Sequence, residues 1–561
     1  MLELEAITVR AGDPRAPVTL LKDISFRLYP GQSAAIIGPS GSGKSTLLKA
    51  IAGILPVDEG AIRWQGQNLP GEDDVIRAIG YVPQTSITHP FLTVRESLAS
   101  TMRLRASDLT REGIQAATEQ ILEMTGLARV SNTLVRRLSG GESRRLGFAL
   151  ELTASPDLLL CDEVLSGLDP KAESEISTLV RDLAEDPGRL VATVTHSLRH
   201  PELYSQVIVL HEGRLAYAGA GQAMLEYFDV DHPEDVYIAL AEKSGASWSE
   251  QWTDRAEGNP APAIKPVADA KTLPAHTTAA AWTQVAVLLD RRIKEFLRDR
   301  RHAAWQLALL LGFPCLVVVF THQGLPQIRN LSMSLNQGVV DQLLDTIQSM
   351  EQSYTAGTLV SGIVMFQVVL LALTASNNGA REIAGERELL EKERLAGLKT
   401  GSYLTSKVVF LSALILVQSA WMAVFVDFFS GLPGSLPMQI LMLALLNGAI
   451  TCTCLAISST ASTPEQASLV AIYLVGFQLP LSGAVLALPD LAAWIARPFI
   501  AAYWSWSGVL QTMKDTRLYD VVVEVTRTDL ARTPLCIWAL GSHMVIMLLA
   551  TYAGCRSRRS L

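Results

Sequence analysis

The stretch GPSGSGKST, Gly38–Thr46, follows the apolar run AAII and opens the helix-like segment TLLKAIAGIL. It fits the pattern G-x-x-x-x-G-K-[ST] in the strand, loop and helix setting that a phosphate-binding loop requires. The glycines let main-chain N–H groups close around phosphate oxygens at the positive end of a helix. Lys44 is expected to neutralise the β- and γ-phosphates, and Ser45 to ligate Mg²⁺. This pattern alone predicts a phosphate-binding loop and leaves the reaction open.

Short apolar runs rich in β-branched residues alternate with helix-length segments over residues 1–240. They are AAIIG (Ala34–Gly38), LLLCDE (Leu158–Glu163), LVATVTH (Leu190–His196) and QVIVL (Gln206–Leu210). Strand-like runs separated by helix-like stretches are typical of an α/β domain. We therefore predict an α/β domain over residues 1–240, built around the phosphate loop.

Two acidic residues end the run LLLCDE. Asp162 is placed to hold the Mg²⁺ shell, and Glu163 to polarise an attacking water molecule. A strand that simply ends in solvated carboxylates is the alternative, because strand ends are often acidic. The phosphate loop upstream favours the catalytic interpretation.

The segment LSGGE (Leu138–Glu142) precedes that strand and is followed by SRRLGFALEL. A serine and two glycines before a helix-like segment predict an exposed helix N-terminus, which is an anion site. Taken in isolation, an ordinary N-cap with a turn is the better explanation. Its position between the other motifs favours the anion site.

The chain changes character after residue 240. Residues 241–284 are rich in Ala, Pro, Thr and Ser without a period, which predicts a flexible linker. The stretch WTQVAVLLDRRIKEFLRDRR fits an amphipathic helix with a basic face at the membrane surface. Residues 285–561 are predicted to form an all-α transmembrane domain, because six apolar runs lacking Asp, Glu, Lys and Arg each have bilayer-spanning length. The runs are residues 303–320, 358–375, 408–426, 438–457, 467–488 and 535–554.

Basic residues predict the topology. Lys and Arg crowd before the first run, between the second and third, and after the last, whereas the segment between the first and second has only Arg329. Cytoplasmic loops carry the excess of positive charge. We therefore predict a multi-pass protein of the plasma (cell inner) membrane, with both termini and the α/β domain in the cytoplasm. The N-terminus shows no basic region followed by an apolar core, so we expect no signal peptide.

Composition narrows the possible partners. The net charge is −8 and no basic tract is present, so nucleic acid is not an expected partner. The six cysteines have no C-x-x-C spacing and none lies in a segment predicted to face outside. We therefore expect neither a cysteine metal site nor disulfides. The cysteines are Cys161, Cys315, Cys452, Cys454, Cys536 and Cys555.

The order of the motifs resembles one family. The phosphate loop, Gln84 in YVPQ, LSGGE, LLLCDE, SGLD and His196 in VTHS follow one another as in the nucleotide-binding domain of ATP-binding-cassette (ABC) transporters. A cassette followed by six apolar runs is similar to the G-type half-transporters, whose membrane domain is of the type-2 ABC export class. FLTVRESL and AMLEYF strengthen that similarity. The expected fold is an α/β P-loop ATPase cassette fused to an all-α six-helix transmembrane domain.

The resemblance implies a role for each motif. Gly38–Thr46 is the Walker A loop, Gln84 is the Q-loop glutamine, and Ser139–Gly141 is the signature that contacts the γ-phosphate across a dimer. Glu163 is the implied catalytic base and His196 the switch histidine, with Gln84 acting beside them. The implied ATP-binding residues are Gly38, Pro39, Ser40, Gly41, Ser42, Gly43, Lys44, Ser45, Thr46, Ser139, Gly140, Gly141, Glu142 and the D-loop residue Asp169. The implied Mg²⁺ ligands are Ser45, Gln84 and Asp162.

Three features depart from the family pattern. In the family an aromatic residue before the Walker A loop often stacks on adenine; here that region reads ITVRAGDPRAP, which contains none and leaves Arg10 as a candidate. The usual Pro-Thr after the catalytic glutamate is Val164-Leu165. No long cysteine-bearing segment precedes the last apolar run, so disulfide-linked dimers are not expected.

The stretch REIAGERELLEKERLAGL (Arg381–Leu398) lies between the second and third apolar runs, and nine of its eighteen residues are charged. A short helix-favouring segment of this kind suits a rigid contact that forms ion pairs with the cassette near Gln84. A solvated loop with good helix propensity is the alternative. The family resemblance implies the coupling segment, through which the cassette moves the membrane domain.

The sequence thus predicts an ATP-driven half-transporter that exports a lipid or a lipophilic, amphipathic small molecule. Each catalytic site needs one chain's Walker A loop and another chain's LSGGE, so the partner is a second half-transporter, in a homodimer or a heterodimer. Gln367 and Gln478 are candidate substrate contacts, with interhelical hydrogen bonds as the alternative. The rival function is a mechanical transducer that regulates a partner without transport. A membrane-tethered soluble ATPase would need only two spans.

Overall fold

The computed structural model describes residues 1–12, 17–69, 79–84, 87–105, 110–164, 170–195, 204–258, 279–319, 339–485 and 487–557. These residues divide into two compact units. The first comprises Met1–Lys294 with Glu388–Lys399, and the second comprises Glu295–Arg387 with the chain from Thr400. The predicted site residues Asp169 and His196 lie outside the described residues, as do Leu165 and residues 259–278 of the predicted linker.

Two sheets form the first unit. The strands are β1 (Leu2–Ala11), β2 (Val18–Leu28), β3 (Ser33–Ile37), β4 (Glu59–Trp64), β5 (Gln67–Leu69), β6 (Ile79–Val82), β7 (Leu158–Asp162), β8 (Leu190–Val194), β9 (Gln206–His211) and β10 (Arg214–Gly219). One sheet is antiparallel with the order β2-β1-β4-β5, and the other has the order β10-β9-β3-β8-β7-β6. In the second sheet only the β10–β9 pair is antiparallel among the described pairs. This mixed α/β architecture confirms the predicted cassette fold.

Burial on both faces explains the apolar runs. Every residue of β3, β7 and β8 is buried, as expected for parallel strands covered on both sides. Side chains alternate: Leu158 and Leu160 join the core shared with β1 and β2, whereas Leu159 and Cys161 join the core on the opposite face. The carboxyl ends of β3, β6, β7 and β8 meet at one edge, where ligands bind in open α/β sheets.

Helices surround these sheets. They are α1 (Lys44–Ile51), α2 (Val94–Arg105), α3 (Arg111–Met124), α4 (Gly140–Leu152), α5 (Pro170–Ala184), α6 (Gly221–Phe228), α7 (Val236–Leu240), α8 (Gly245–Gly258) and α9 (Ala281–Arg298). The helix predicted from WTQVAVLLDRRIKEFLRDRR is confirmed as α9.

Helix α8 corrects the predicted linker over residues 241–284. Its side chains Trp248 and Trp252 lie one turn apart on the same face. The ring of Trp252 packs 4.9 Å from that of Tyr217, and the ring of Trp248 packs 5.0 Å from that of Phe228. Composition indicated a flexible segment because the two tryptophans were outweighed by small and polar residues.

We expect Trp248→Ala to lower the free energy of unfolding by about 3–5 kcal/mol, the cost of truncating a buried tryptophan. Trp248 is 4% exposed, and its indole N–H donates to the carbonyl of Leu240. Calorimetry of the full chain measures the loss. Trp282→Ala is the matched control because Trp282 is 78% exposed; equal losses in both variants would contradict the anchoring role.

The second unit is helical throughout its described elements. They are α10 (Arg300–Val319), α11 (Val339–Gly379), α12 (Arg387–Leu395, which continues into the first unit), α13 (Thr400–Ser430), α14 (Leu436–Thr460), α15 (Pro464–Gly476), α16 (Asp490–Ala496), α17 (Ala501–Gln511), α18 (Arg517–Thr526) and α19 (Thr533–Arg556). The core lies among α11, α14 and α17, with Trp506 fully buried.

Five stretches within the described residues are long and apolar enough to cross a membrane. They are Arg300–Val319, Met350–Arg394, Thr400–Ser430, Leu436–Thr460 and Thr533–Arg556. The prediction of a continuous helix over residues 467–488 is wrong, because α15 ends at Gly476 and turns follow. Thirteen residues rise only about 20 Å, and Pro480 has no N–H with which to continue a helix. A membrane domain of six spanning helices is therefore not confirmed.

Four carboxamides meet inside the second unit, one from each of four helices. The Asn378 amide donates to Gln418 Oε1 at 2.8 Å, and the Asn447 amide donates to the same oxygen at 3.1 Å. The Gln306 amide donates to Asn378 Oδ1 at 3.2 Å. Each of the four side chains is at most 6% exposed. Interhelical hydrogen bonds of this kind join α10, α11, α13 and α14 where water is absent.

Candidate active site

The loop between β3 and α1 has the backbone that its glycines predict. Gly38, Gly41 and Gly43 have φ of 150°, 81° and 94°. A Cβ on Gly38 would lie 2.1 Å from the carbonyl oxygen of Leu210. Only glycine fits at that position, because the neighbouring β9 backbone occupies the space of a side chain. The N-terminus of α1 therefore stays open to an anion.

Lys44 is held inside this loop. Its ammonium donates to the carbonyl oxygens of Gly38 and Pro39, both at 2.9 Å, and its side chain is buried. Burial lowers the pKa of Lys44, and the carboxylates of Glu163 and Asp162 oppose that shift. The other predicted ATP-binding residues of the loop differ in exposure. Ser40 and Gly41 are exposed, and Gly38 and Ser42 are buried. The half-buried residues are Pro39, Gly43, Ser45 and Thr46.

Asp162 receives hydrogen bonds from two other elements. The Ser45 hydroxyl donates to Oδ1 at 2.8 Å, which joins the start of α1 to the end of β7. The Tyr81 hydroxyl, on β6, donates to Oδ2 at 3.1 Å. Desolvation raises the pKa of Tyr81, and Asp162 raises it further. Sequence reasoning missed Tyr81, although its place in YVPQ on the strand beside β7 is the signal that could have found it.

Glu163 is positioned by three neighbours. Its N–H donates to the carbonyl of Val194, and its backbone has φ of 48°. The Gln84 amide donates to Glu163 Oε2 at 2.8 Å, and the Arg144 guanidinium donates to the Glu163 main-chain oxygen at 2.9 Å. The structure therefore brings Gln84 to Glu163, while its ligation of Mg²⁺ stays a prediction. Arg144, which the sequence analysis did not single out, links α4 to the end of β7.

The LSGGE segment forms a capping box at the start of α4. The Ser139 N–H donates to Glu142 Oε2 at 2.8 Å, and the Glu142 N–H donates to the Ser139 hydroxyl at 3.3 Å. The main-chain bond from Ser139 lowers the pKa of Glu142. Ser139 and Gly140 are exposed and Gly141 is half-buried. The start of α4 is therefore an exposed helix N-terminus with an ordinary capping box, and its binding of an anion stays a prediction.

His196 would follow Thr195, whose N–H donates to the carbonyl of Ile36 on β3. Arg10, the candidate adenine contact, forms an ion pair with Glu59 at 2.5 Å. The side chains of both partners are more than a third exposed, so the pair is weak.

The charged segment after α11 forms helix α12 and contacts the first unit. Lys392 pairs with Glu151 of α4 at 2.7 Å, and Arg105 of α2 pairs with the same carboxylate at 3.2 Å. Burial opposes ionisation of Glu151, yet Arg105 and Lys392 hold its pKa below the usual value. The predicted ion pairs with the cassette thus end on the helix that begins with LSGGE.

Arg291 of α9 makes a second connection to the coupling segment. It forms an ion pair with Glu393, donates to the Ser100 hydroxyl at 2.8 Å, and is 2% exposed. The Gln284 amide donates to the Gly397 carbonyl at 3.1 Å and accepts from the Lys399 N–H at 3.1 Å. Buried polar contacts therefore fix α12 against α2, α4 and α9.

Two family models and a solved structure match parts of this chain. The family described as ABC transporter matches residues 21–166, and the family described as ABC-2 type transporter matches residues 283–511. A solved structure of the ATP-binding cassette MJ0796, a dimer bound to ADP and Pi, is 27% identical, with a TM-score of 0.36 over 39% of this chain and 98% of that one.

Two relatives match beyond the cassette. The ABC transporter ATP-binding/permease protein Rv1747 of Mycobacterium tuberculosis is 30% identical over 557 residues, which are 96% of this chain and 60% of that protein. ABC transporter G family member 25 of Arabidopsis thaliana is 28% identical over 76% of this chain and 67% of its own length. This chain thus spans less than two thirds of the mycobacterial relative. With both domains matched in this order, the chain belongs to the ABC transporters, with its cassette ahead of an ABC-2 type membrane domain.

Proposed function

We propose that this chain hydrolyses ATP with Mg²⁺ at the carboxyl edge of its parallel sheet and couples hydrolysis to export of a lipid or lipophilic small molecule. The 2.8 Å contact between Ser45 and Asp162, beside Lys44 and Glu163, is the observation that carries this proposal. Two oxygen ligands for a cation, the Lys44 ammonium and the candidate base Glu163 therefore lie together at the N-terminus of α1.

The donor set fits Mg²⁺. Mg²⁺ prefers oxygen ligands, and the Ser45 hydroxyl and the Asp162 carboxylate supply them side by side. Bound there, the ion would neutralise charge on the phosphates. Lys44 has main-chain carbonyls as its present partners and can exchange them for phosphate oxygens. We assign Gln84 a third ligand position because its amide already reaches the neighbouring Glu163.

Glu163 is the proposed general base. The Gln84 amide donates to Oε2 and so orients the carboxylate that would accept a proton from the attacking water. Arg144 donates to the main-chain oxygen of the same residue and so holds its backbone. We assign His196 and Asp169 the switch and D-loop roles that their sequence motifs imply.

We expect Tyr81→Phe to weaken Mg²⁺-dependent ATP hydrolysis by about five- to tenfold, because it deletes one hydrogen bond to the carboxylate of Asp162. The apparent affinity for Mg²⁺ should fall, since the Asp162 oxygens lose their orientation. A Mg²⁺ titration of ATPase activity measures it. Tyr29→Phe, which removes a hydroxyl outside the site, is the control; an unchanged Mg²⁺ dependence in Tyr81→Phe would contradict the positioning role.

A second chain is proposed to complete the site. The exposed N–H groups at Gly140 and Gly141 form an anion site that a phosphate bound at another chain's Walker A loop could fill. The partner is an identical chain or a different half-transporter. The Lys392–Glu151 pair would transmit the closure of two cassettes to the coupling segment, because it ends on the same helix as the anion site.

The described spans support a lipophilic substrate. Polar side chains of four helices bond to one another in the carboxamide cluster. Gln478 Oε1 accepts from the Ala502 N–H at 3.0 Å at the start of α17, which favours its structural alternative. Gln367, buried within α11, remains our candidate substrate contact. We propose a plasma-membrane location with the cassette and both termini cytoplasmic. This topology requires the interrupted apolar segment of residues 467–488 to cross the membrane in addition to the five described stretches.

ATPase activity of the full chain in lipid nanodiscs, measured against a panel of lipids and amphipathic compounds, tests the function. Stimulation by one compound class supports export and identifies a substrate lead. Activity indifferent to every compound would favour the mechanical transducer. Absence of activity would remove the homodimer and require a different partner chain.

A further inference from the structure

A cavity of about 770 Å³ lies in the second unit between the short helix α16 and the start of α19. Its volume is in the range of small-molecule sites. The lining is mostly apolar and aromatic, and it includes Trp494, Phe499, Tyr503, Trp504 and Leu535. Three charged residues also line it: Arg497, Asp490 and Asp529.

The walls of this cavity are fixed by hydrogen bonds. The Tyr503 hydroxyl donates to the Asp529 carbonyl at 2.8 Å, and the Trp504 indole N–H donates to the Arg497 carbonyl at 2.8 Å. His543 of α19 bonds to the Pro498 carbonyl. Tyr503 is 3% exposed, so the floor is part of the packed core. The cavity is therefore pre-formed rather than a gap between loose side chains.

The cavity rim has the composition of a membrane interface. Trp494 and Phe499 are 78% and 76% exposed, and Trp538, one turn beyond Leu535 on α19, is 77% exposed. Exposed tryptophans at the end of a spanning helix are typical of the headgroup level of a bilayer. On the topology proposed above, this is the outer face.

Arg497 supplies a positive charge that no described carboxylate pairs with. Its guanidinium lies 4.8 Å from the centre of the Tyr503 ring, and no described carboxylate lies within ion-pair distance of it. The carboxylates of Asp490 and Asp529 are exposed at the same cavity. One guanidinium with two carboxylates complements a headgroup that carries both a phosphate and an ammonium group, since Arg binds phosphate and Asp binds ammonium.

We propose that this cavity binds the phosphoethanolamine headgroup of a zwitterionic phospholipid from the surrounding bilayer. The phosphate lies against Arg497, the ammonium against Asp490 or Asp529, and the acyl chains run along Trp494 and Phe499. This site does not depend on the ATP-driven cycle, and it would hold lipid in the absence of nucleotide.

Native mass spectrometry of the full chain, released from detergent with phosphatidylethanolamine or phosphatidylglycerol, tests the proposal. We expect bound phosphatidylethanolamine to fall about tenfold in Arg497→Gln, because a charge-assisted hydrogen bond is lost. Arg532→Gln, an exposed arginine of the same segment, should retain it. Trp494→Ala, at a position too exposed to affect folding, should also reduce lipid retention.

Equal retention in Arg497→Gln and in the unaltered chain would overturn the site. Equal or tighter binding of phosphatidylglycerol, which has no ammonium group, would overturn the proposed contact between the lipid ammonium and Asp490 or Asp529. Chain-to-chain crosslinking from Trp494→Cys with unchanged lipid retention would show that a second copy, rather than lipid, covers this face.

Discussion

Glu163→Gln is expected to lower the rate of ATP hydrolysis by about 10²–10⁴-fold, the range for loss of a general base. The amide keeps the shape of the side chain and its contact with Gln84, so ATP binding should persist. Hydrolysis by the full chain in nanodiscs gives the rate, and binding of a fluorescent ATP analogue gives the affinity.

A control variant separates the loss of the base from general damage to the protein. Glu142→Gln also removes a carboxylate near the proposed nucleotide, but that carboxylate caps α4 and is not placed to accept a proton. We expect it to weaken the cap by about 1 kcal/mol and to leave far more activity than Glu163→Gln. Activity of Glu163→Gln within tenfold of the unaltered chain would remove Glu163 as the base.

The second large effect is expected at the coupling segment. Lys392→Met removes a half-buried ion-pair partner of Glu151, which is 4% exposed and, among the described residues, keeps its pair with Arg105. Removing one partner of a buried ion pair costs about 3–5 kcal/mol where the charge is left unpaired; because Arg105 remains, we expect a smaller loss, and the connection between α12 and α4 should weaken by about ten- to a hundredfold. Compound-stimulated ATP hydrolysis should fall accordingly, while ATP binding stays unchanged.

Lys399→Met is the matched control, because Lys399 directly follows the same segment and is exposed. Lys392→Arg should retain most of the stimulation, since a guanidinium can reach the same carboxylate. If Lys392→Met kept full stimulation, or if Lys399→Met lost as much, the pair would have no coupling role and the Arg291–Glu393 contact would become the connection to test.

The sequence determined the elements of the cassette because their chemistry is local. A phosphate loop requires glycines at fixed spacing, and the φ values of Gly41 and Gly43 follow directly from that pattern. The apolar runs of β3, β7 and β8 predicted strands of an α/β domain. The capping box at Ser139 and Glu142 involves residues three apart and could also be derived from spacing alone.

Contacts between distant residues could not be derived in the same way. Tyr81 meets Asp162, and Arg144 meets Glu163, only because strand order and helix placement bring them together. The carboxamide cluster depends on how four helices pack, and an isolated glutamine in an apolar run gives no sign of its partner. Helix α8 exists because two tryptophans find an aromatic surface formed by Tyr217, Tyr227 and Phe228.

The apolar runs show which features follow from the sequence alone and which depend on tertiary contacts. Hydropathy alone identified five described stretches that are long and apolar enough to cross a membrane, because length and the absence of charge can be read along the sequence. It failed over residues 467–488, where the chain stays apolar but turns after Gly476. Apolarity measures the preference for leaving water, whereas the path of the backbone depends on Pro480 and on the packing against α11 and α17. The sequence by itself therefore determined which chemistry and which apolar segments this protein has, and only the tertiary structure decided which side chains meet, because those contacts join residues far apart in the chain.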